Sequence, residues 1–196
     1  MISLRALALA LTSLVLLLPA AANAQTGGAA FQEPPPPPPE PVDMTVPGTV
    51  AKLLPDGSAA APADAPPEVQ QAIWAANRIQ DKPYRYGGGH AKIEDRGYDC
   101  SGTVSYALHH AGLLETPLHS GAFMKWGERG EGEWITVYTN PGHAYAVIAG
   151  LRLDTSMATI SRAHRRQFKK ATERGPRWRP TARSSRGYLK RHPAGF

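Results

Sequence analysis

Apolar and polar positions divide the chain into four stretches. Ala6 to Leu18 is almost continuously apolar. Residues 25–67 show no period at all: Pro34 to Pro39 form an unbroken run, and Ala, Gly, Asp and Ser fill the gaps between later prolines. Helical spacing begins with Val69, Ile73, Ala76 and Ile79, with Pro67 and Glu68 suited to a first turn and Lys82-Pro83 to a stop. A glycine-rich loop follows over Tyr84 to His90. Val104, Leu108 and Ala111 then predict a second helix that starts near Ser101 and ends at Gly112. Trp134–Thr139, His143–Ala149 and Leu151–Thr155 read as strands, joined by Asn140-Pro141-Gly142 and by Gly150. Two helices followed by an antiparallel meander predict an α+β fold.

The first 24 residues have the order of a secretory signal: Arg5, the apolar core, then Ala22-Asn23-Ala24 as a small-residue cleavage site before Gln25. The core is shorter than the ~20 residues of a membrane span. The expectation is an exported protein, periplasmic or extracellular, with no transmembrane anchor after cleavage. Residues 25–67 are expected to be a disordered Pro/Ala-rich spacer, because so few bulky side chains cannot offset the entropy of ordering them. The domain is placed at 68–156 and a basic carboxy-terminal segment at 157–196.

Charge sharpens this division. The net charge of +6 conceals two halves of opposite sign. Residues 157–196 hold 12 Lys or Arg and one acid, Glu173, so the preceding residues are net acidic. Trp178 and Tyr188 interleave with those charges, which predicts partial packing on the core. The segment suits anionic envelope polymers or a solvated tail. Export argues against nucleic acid.

The single Cys excludes an intramolecular disulfide. Its position suggests chemistry. Cys100 stands at the first turn of the second helix, where free N–H groups and the helix dipole stabilise a thiolate. Asp99 and Ser101 are cap-forming neighbours, and Gly102 permits close approach to the backbone. A nucleophilic thiol needs a base, and His143 opens a strand directly after a turn. Pairing of the last two strands through Gly150 brings Asp154 to the His143 end of the hairpin, where it can orient the imidazole. His90, His109, His110 and His119 read as loop or helix-surface residues. No metal-ligand spacing connects them, and no cofactor is expected.

KPYRYGGGH, GYDCSGTVSYALHHAGLL and GHAYAVIAG together resemble the NlpC-type bacterial cell-wall cysteine peptidases. The resemblance covers roughly Glu68 to Ser156. It implies a papain-like fold and a thiol hydrolase, a DL-endopeptidase or amidase, acting on peptidoglycan stem peptides. It assigns Cys100 as nucleophile and His143 as base. Asp99 and Ser101 match positions that hold the stem-peptide amine in some members, and Asp99 reads equally as a plain cap. Tyr84 and Tyr86 match the loop bordering the nucleophile, with Tyr86 a candidate oxyanion donor. The third polar residue of the family is usually His, Asn or Gln, so Asp154 departs from the pattern. A non-catalytic envelope-binding module and a related acyltransferase are the competing readings.

Overall fold

A computed structural model describes residues 44–157 and 159–196. The expected signal peptide and the proline run lie outside the described residues. The first described elements are short strands: β1 (Thr45–Val46), β2 (Lys52–Leu53) and β3 (Ala59–Pro62). They form a three-stranded sheet in the order β1-β3-β2. This corrects the expected spacer boundary, because folded chain begins well before residue 68. Every residue of β3 is buried. Small side chains serve here as packing material: alanines let the strand lie against the following helix, where bulky residues would hold it away.

That helix, α1 (Pro67–Arg78), begins with Pro in its first turn, where a missing N–H costs nothing. Val69, Ala72, Ile73 and Ala76 bury one face, as the spacing predicts. Burial of Ile73 and Val69 contributes roughly 1.5–3 kcal/mol each. Two polar side chains of α1 bind the preceding strand. Asn77 accepts from the Ala59 N–H and donates to the Ala59 carbonyl, both at 2.9 Å. Gln70 donates to the carbonyls of Pro62, Ala63 and Ala65.

After the glycine-rich loop comes α2 (Cys100–His110), with Gly112 at φ +72° just beyond its end. A short helix α3 (Ser120–Phe123) and β4 (Glu128–Arg129) precede the meander of β5 (Ile135–Asn140), β6 (His143–Ile148) and β7 (Leu151–Asp154). The basic segment contributes an exposed helix α4 (Arg162–Gln167), a 3-10 turn over Lys169–Thr172, and two strands, β8 (Arg177–Arg179) and β9 (Leu189–His192). The large sheet has the order β4-β9-β5-β6-β7-β8, with every pairing antiparallel. The architecture is mixed α+β.

One sheet face carries Ala144, Ala146, Ile148 and Leu153 into the core shared with α1 and α2. The opposite face is polar and aromatic, because alternation sends His143, Tyr145, Arg152 and Asp154 to that side. Trp178 is buried in the core, and its indole N–H donates to Asn77 at 2.8 Å. The basic segment is therefore largely structural in its second half. Arg177 and Arg179 are buried despite their charge. Their guanidinium groups donate to carbonyl oxygens, Arg177 to Lys82 and Pro176, and Arg179 to Asp154, Glu173 and Gly175.

Candidate active site

Three elements meet at Cys100. The thiol stands at the first position of α2, where the free first-turn N–H groups and the positive end of the helix lie. Asp99 is the N-cap, and its Oδ1 accepts from the Gly102 N–H at 2.7 Å. The helix start is pressed onto the glycine-rich loop so tightly that a Cβ on Gly102 would collide with the Gly88 carbonyl oxygen. Only glycine permits that approach.

His143 opens β6 on the other side of the thiol. Its Nε2 is bonded to Asp154 Oδ1 at 3.0 Å. The imidazole also neighbours Cys100, and each of the two groups favours the charged form of the other. The turn fixes the backbone of His143: Asn140 Oδ1 accepts from the N–H groups of Gly142 and His143. Asp154 is bound on both oxygens. Ser156 N–H and His143 use Oδ1, while the Ser156 hydroxyl and Arg183 use Oδ2 at 2.7 and 3.0 Å.

Electrostatics follow from this geometry. Burial alone would push the Cys100 thiol up. Hydrogen bonds from His143 and the Ala144 N–H, and the charge of His143, outweigh it and bring the thiol below its ordinary value. Burial alone would push His143 down. Its bond to Asp154 and its contact with Cys100 prevail and raise it to about 9. Burial likewise opposes the charge of Asp154, but His143 and Ser156 hold the carboxyl far below its usual range. The arrangement favours the thiolate and the imidazolium together, each charge sustaining the other.

The other expected site residues take different positions. Asp99 and Ser101 are both buried. Asp99 accepts from the Gly87 N–H at 3.0 Å, the Gly102 N–H, the Ser101 hydroxyl at 3.1 Å and His90 Nε2 at 3.0 Å. This geometry makes Asp99 the cap and the anchor of the loop. Tyr84 is partly exposed at the loop edge, and its hydroxyl is raised by burial and then by the charges of Cys100 and Asp99. Tyr86 is 90% exposed and stands out from the loop.

Sequence reasoning missed two contributors. His90 appears as a simple loop residue, yet it pairs with Asp99, and that hydrogen bond raises its pKa. Its place after three glycines and nine residues before Asp99 was the available signal. Arg183 reads from the sequence only as one of the basic residues of the carboxy-terminal segment. It lies 3.0 Å from Asp154 Oδ2 and 2.7 Å from the Ser156 hydroxyl, with its guanidinium 5.5 Å over the rings of Tyr145 and Tyr188. Nothing in the local sequence links it to a residue 29 positions away.

Among the described residues, no group of three or more His, Cys, Asp or Glu side chains is placed to hold a metal ion. No helix among them is long and apolar enough to cross a membrane. No family model matches the chain, and no curated protein or solved structure matches it either.

Proposed function

We propose that this chain is an exported thiol hydrolase, papain-like in arrangement, that cleaves an amide bond in peptidoglycan stem peptides. The observation that carries the proposal is Cys100 at the start of α2 with His143 as its neighbour and Asp154 on His143 Nε2. The peptide substrate itself rests on the sequence resemblance.

The chemistry assigned to these residues has two halves. The Cys100 thiolate adds to the amide carbonyl, and the developing oxyanion faces the Cys100 N–H, which as a first-turn donor has no intrahelical acceptor. Tyr84, rather than the outlying Tyr86, is the side chain beside the thiol suited to assist. The C–N bond breaks as imidazolium Nδ1–H gives its proton to the departing amine. A thioester remains. His143 then takes a proton from water, the resulting hydroxide adds to the thioester, and the C–S bond breaks to release the acid and restore the thiolate. Asp154 keeps the imidazole oriented and stabilises its charged form.

Digestion of purified muropeptides with wild type and Cys100→Ala tests the proposal. New amine and carboxyl ends should appear with the wild type alone. Equal products from both proteins, or none from either, would remove the hydrolase reading. Rapid alkylation of Cys100 at pH 6 is an independent check, since an ordinary thiol with pKa ~8.5 is protonated there.

A role in holding anionic envelope polymers is favoured by one separate observation. Arg162, Arg165 and Arg166 on α4 are all exposed, and that helix buries no residue. Retention on sacculi that is lost in moderate salt, and unaffected by Cys100→Ala, is the expected behaviour.

A further inference from the structure

The outer face of the large sheet holds a cavity of about 200 Å³ that the hydrolase mechanism does not use. Tyr138 and Tyr145 form one wall, their rings parallel with centroids 4.7 Å apart. Arg152, Arg179, Thr181 and Arg183 are the polar residues of the remaining lining. Arg179 already donates to three carbonyl oxygens. Arg152 differs. It is 93% buried, at 7% exposure, yet its Nε has no hydrogen-bond partner among the described residues. Its one ionic contact is Nη1 to Asp154 Oδ2, at 3.8 Å, too long for a hydrogen bond. The Arg183 side chain is about one-third exposed, and Nη1 alone makes its contacts with Asp154 and Ser156.

The charge at this place is unbalanced. Among the described residues, Asp154 is the one carboxylate that faces Arg152, Arg183 and His143 together. A buried guanidinium this poorly paired is costly; Nε itself is closed off, but a second anion in the cavity would give the Nη groups of Arg152 a partner. Paired donors in a planar fork suit a carboxylate, and the tyrosine wall suits the carbon atoms attached to it. Asp154 stands between the imidazole and the arginines: Oδ1 meets His143 and Oδ2 faces Arg152 and Arg183. One carboxylate, Asp154, therefore links two arginines of the cavity to the imidazole.

We infer that this cavity is a carboxylate subsite, in which Arg152 and Arg183 receive a carboxylate of the peptide substrate against the Tyr138–Tyr145 wall. The inference rests on the peptide-hydrolase reading above. It adds a specificity element that the basic segment completes, because Thr181 and Arg183 both come from that segment.

The test measures binding of a soluble stem tetrapeptide to full-chain Cys100→Ala protein by titration calorimetry. Each carboxylate of the peptide is converted in turn to its carboxamide. One carboxamide should bind about tenfold more weakly than the parent, and Arg152→Gln in the Cys100→Ala background should erase that difference. Arg183→Gln, at a partly exposed position, serves as the second variant if Arg152→Gln fails to fold, and circular dichroism reports folding for both. Equal binding of parent and all carboxamides overturns the subsite, as does discrimination that survives both substitutions. Sodium acetate at constant ionic strength provides the other arm. Acetate that raises the melting temperature of wild type but not of Arg152→Gln, without discrimination among the peptides, assigns the cavity to free carboxylates and overturns the substrate subsite. A parent peptide that neither binds nor is cleaved sinks the hydrolase reading and this subsite together; a peptide that binds without discrimination sinks the subsite alone.

Discussion

Two histidine–aspartate pairs flank the same helix start, and they do different work. His143 and Asp154 meet at 3.0 Å, as do His90 and Asp99. In both pairs the carboxylate raises the imidazole pKa. The surroundings separate them. Asp99 spends its oxygens on the Gly87 and Gly102 N–H groups and the Ser101 hydroxyl, so it ties a loop to a helix. Asp154 is held by Ser156 and Arg183, and its histidine neighbours the thiol. A His–Asp contact is thus no signature of catalysis. Under the proposed mechanism, the neighbouring thiol is what sets His143 apart.

The largest expected effect separates the two histidines directly. His143→Ala should lower kcat/KM on muropeptides by about 10³–10⁴-fold, the range of a lost acid–base group and its activated nucleophile. His90→Ala should stay within about tenfold. Comparable losses from both would erase the contrast. Asp154→Asn should come next, costing about 10²–10⁴-fold while keeping the ring in place. It should also move the alkaline limb of the kcat/KM profile below the value of about 9 that the carboxylate gives His143. An unmoved limb would mean that Asp154 does not sustain the imidazolium.

Asp99→Ala should act on stability before chemistry. Loss of the cap and of the loop bonds should cost about 1–3 kcal/mol in urea unfolding. The smallest effect lies in the pH dependence of that stability. Asp99 is depressed, so its contribution exists above the ordinary carboxyl range and fades as pH falls through its folded pKa. His90 is raised, so its contribution exists below about pH 6.5 and fades as pH climbs through its folded value. Melting curves from pH 5 to 9 should show His90→Gln closing on wild type at the alkaline end. The difference at the acid end should be at most about 1 kcal/mol, because His90 is partly exposed.

The sequence reveals elements where periodicity and bulk coincide. Val69, Ile73 and Ala76 mark α1, and alternation around the Asn140–Gly142 turn and Gly150 marks the meander. Cys100 at a helix start and His143 at a strand start could be read because capping and turn chemistry are local. What escaped was long-range or small. Ala59–Pro62 has no bulk to advertise a strand, and its burial depends on Asn77, 18 residues away. Arg177 and Arg179 look solvated until their carbonyl partners are known. Arg183 reaches Asp154 across 29 residues, a closure that no motif encodes.

Asn77 also has a consequence for how the molecule comes apart. Its amide grips Ala59 on one side and the Trp178 indole on the other, a partner 101 residues further along. Neither segment can peel away without stranding a buried donor or acceptor, so both should belong to one cooperative opening unit. Native-state hydrogen exchange should then report a common opening free energy for the amides of Ala59 and Trp178. Asn77→Ala should split it into two, making the early strand and the late strand separately vulnerable to proteolysis.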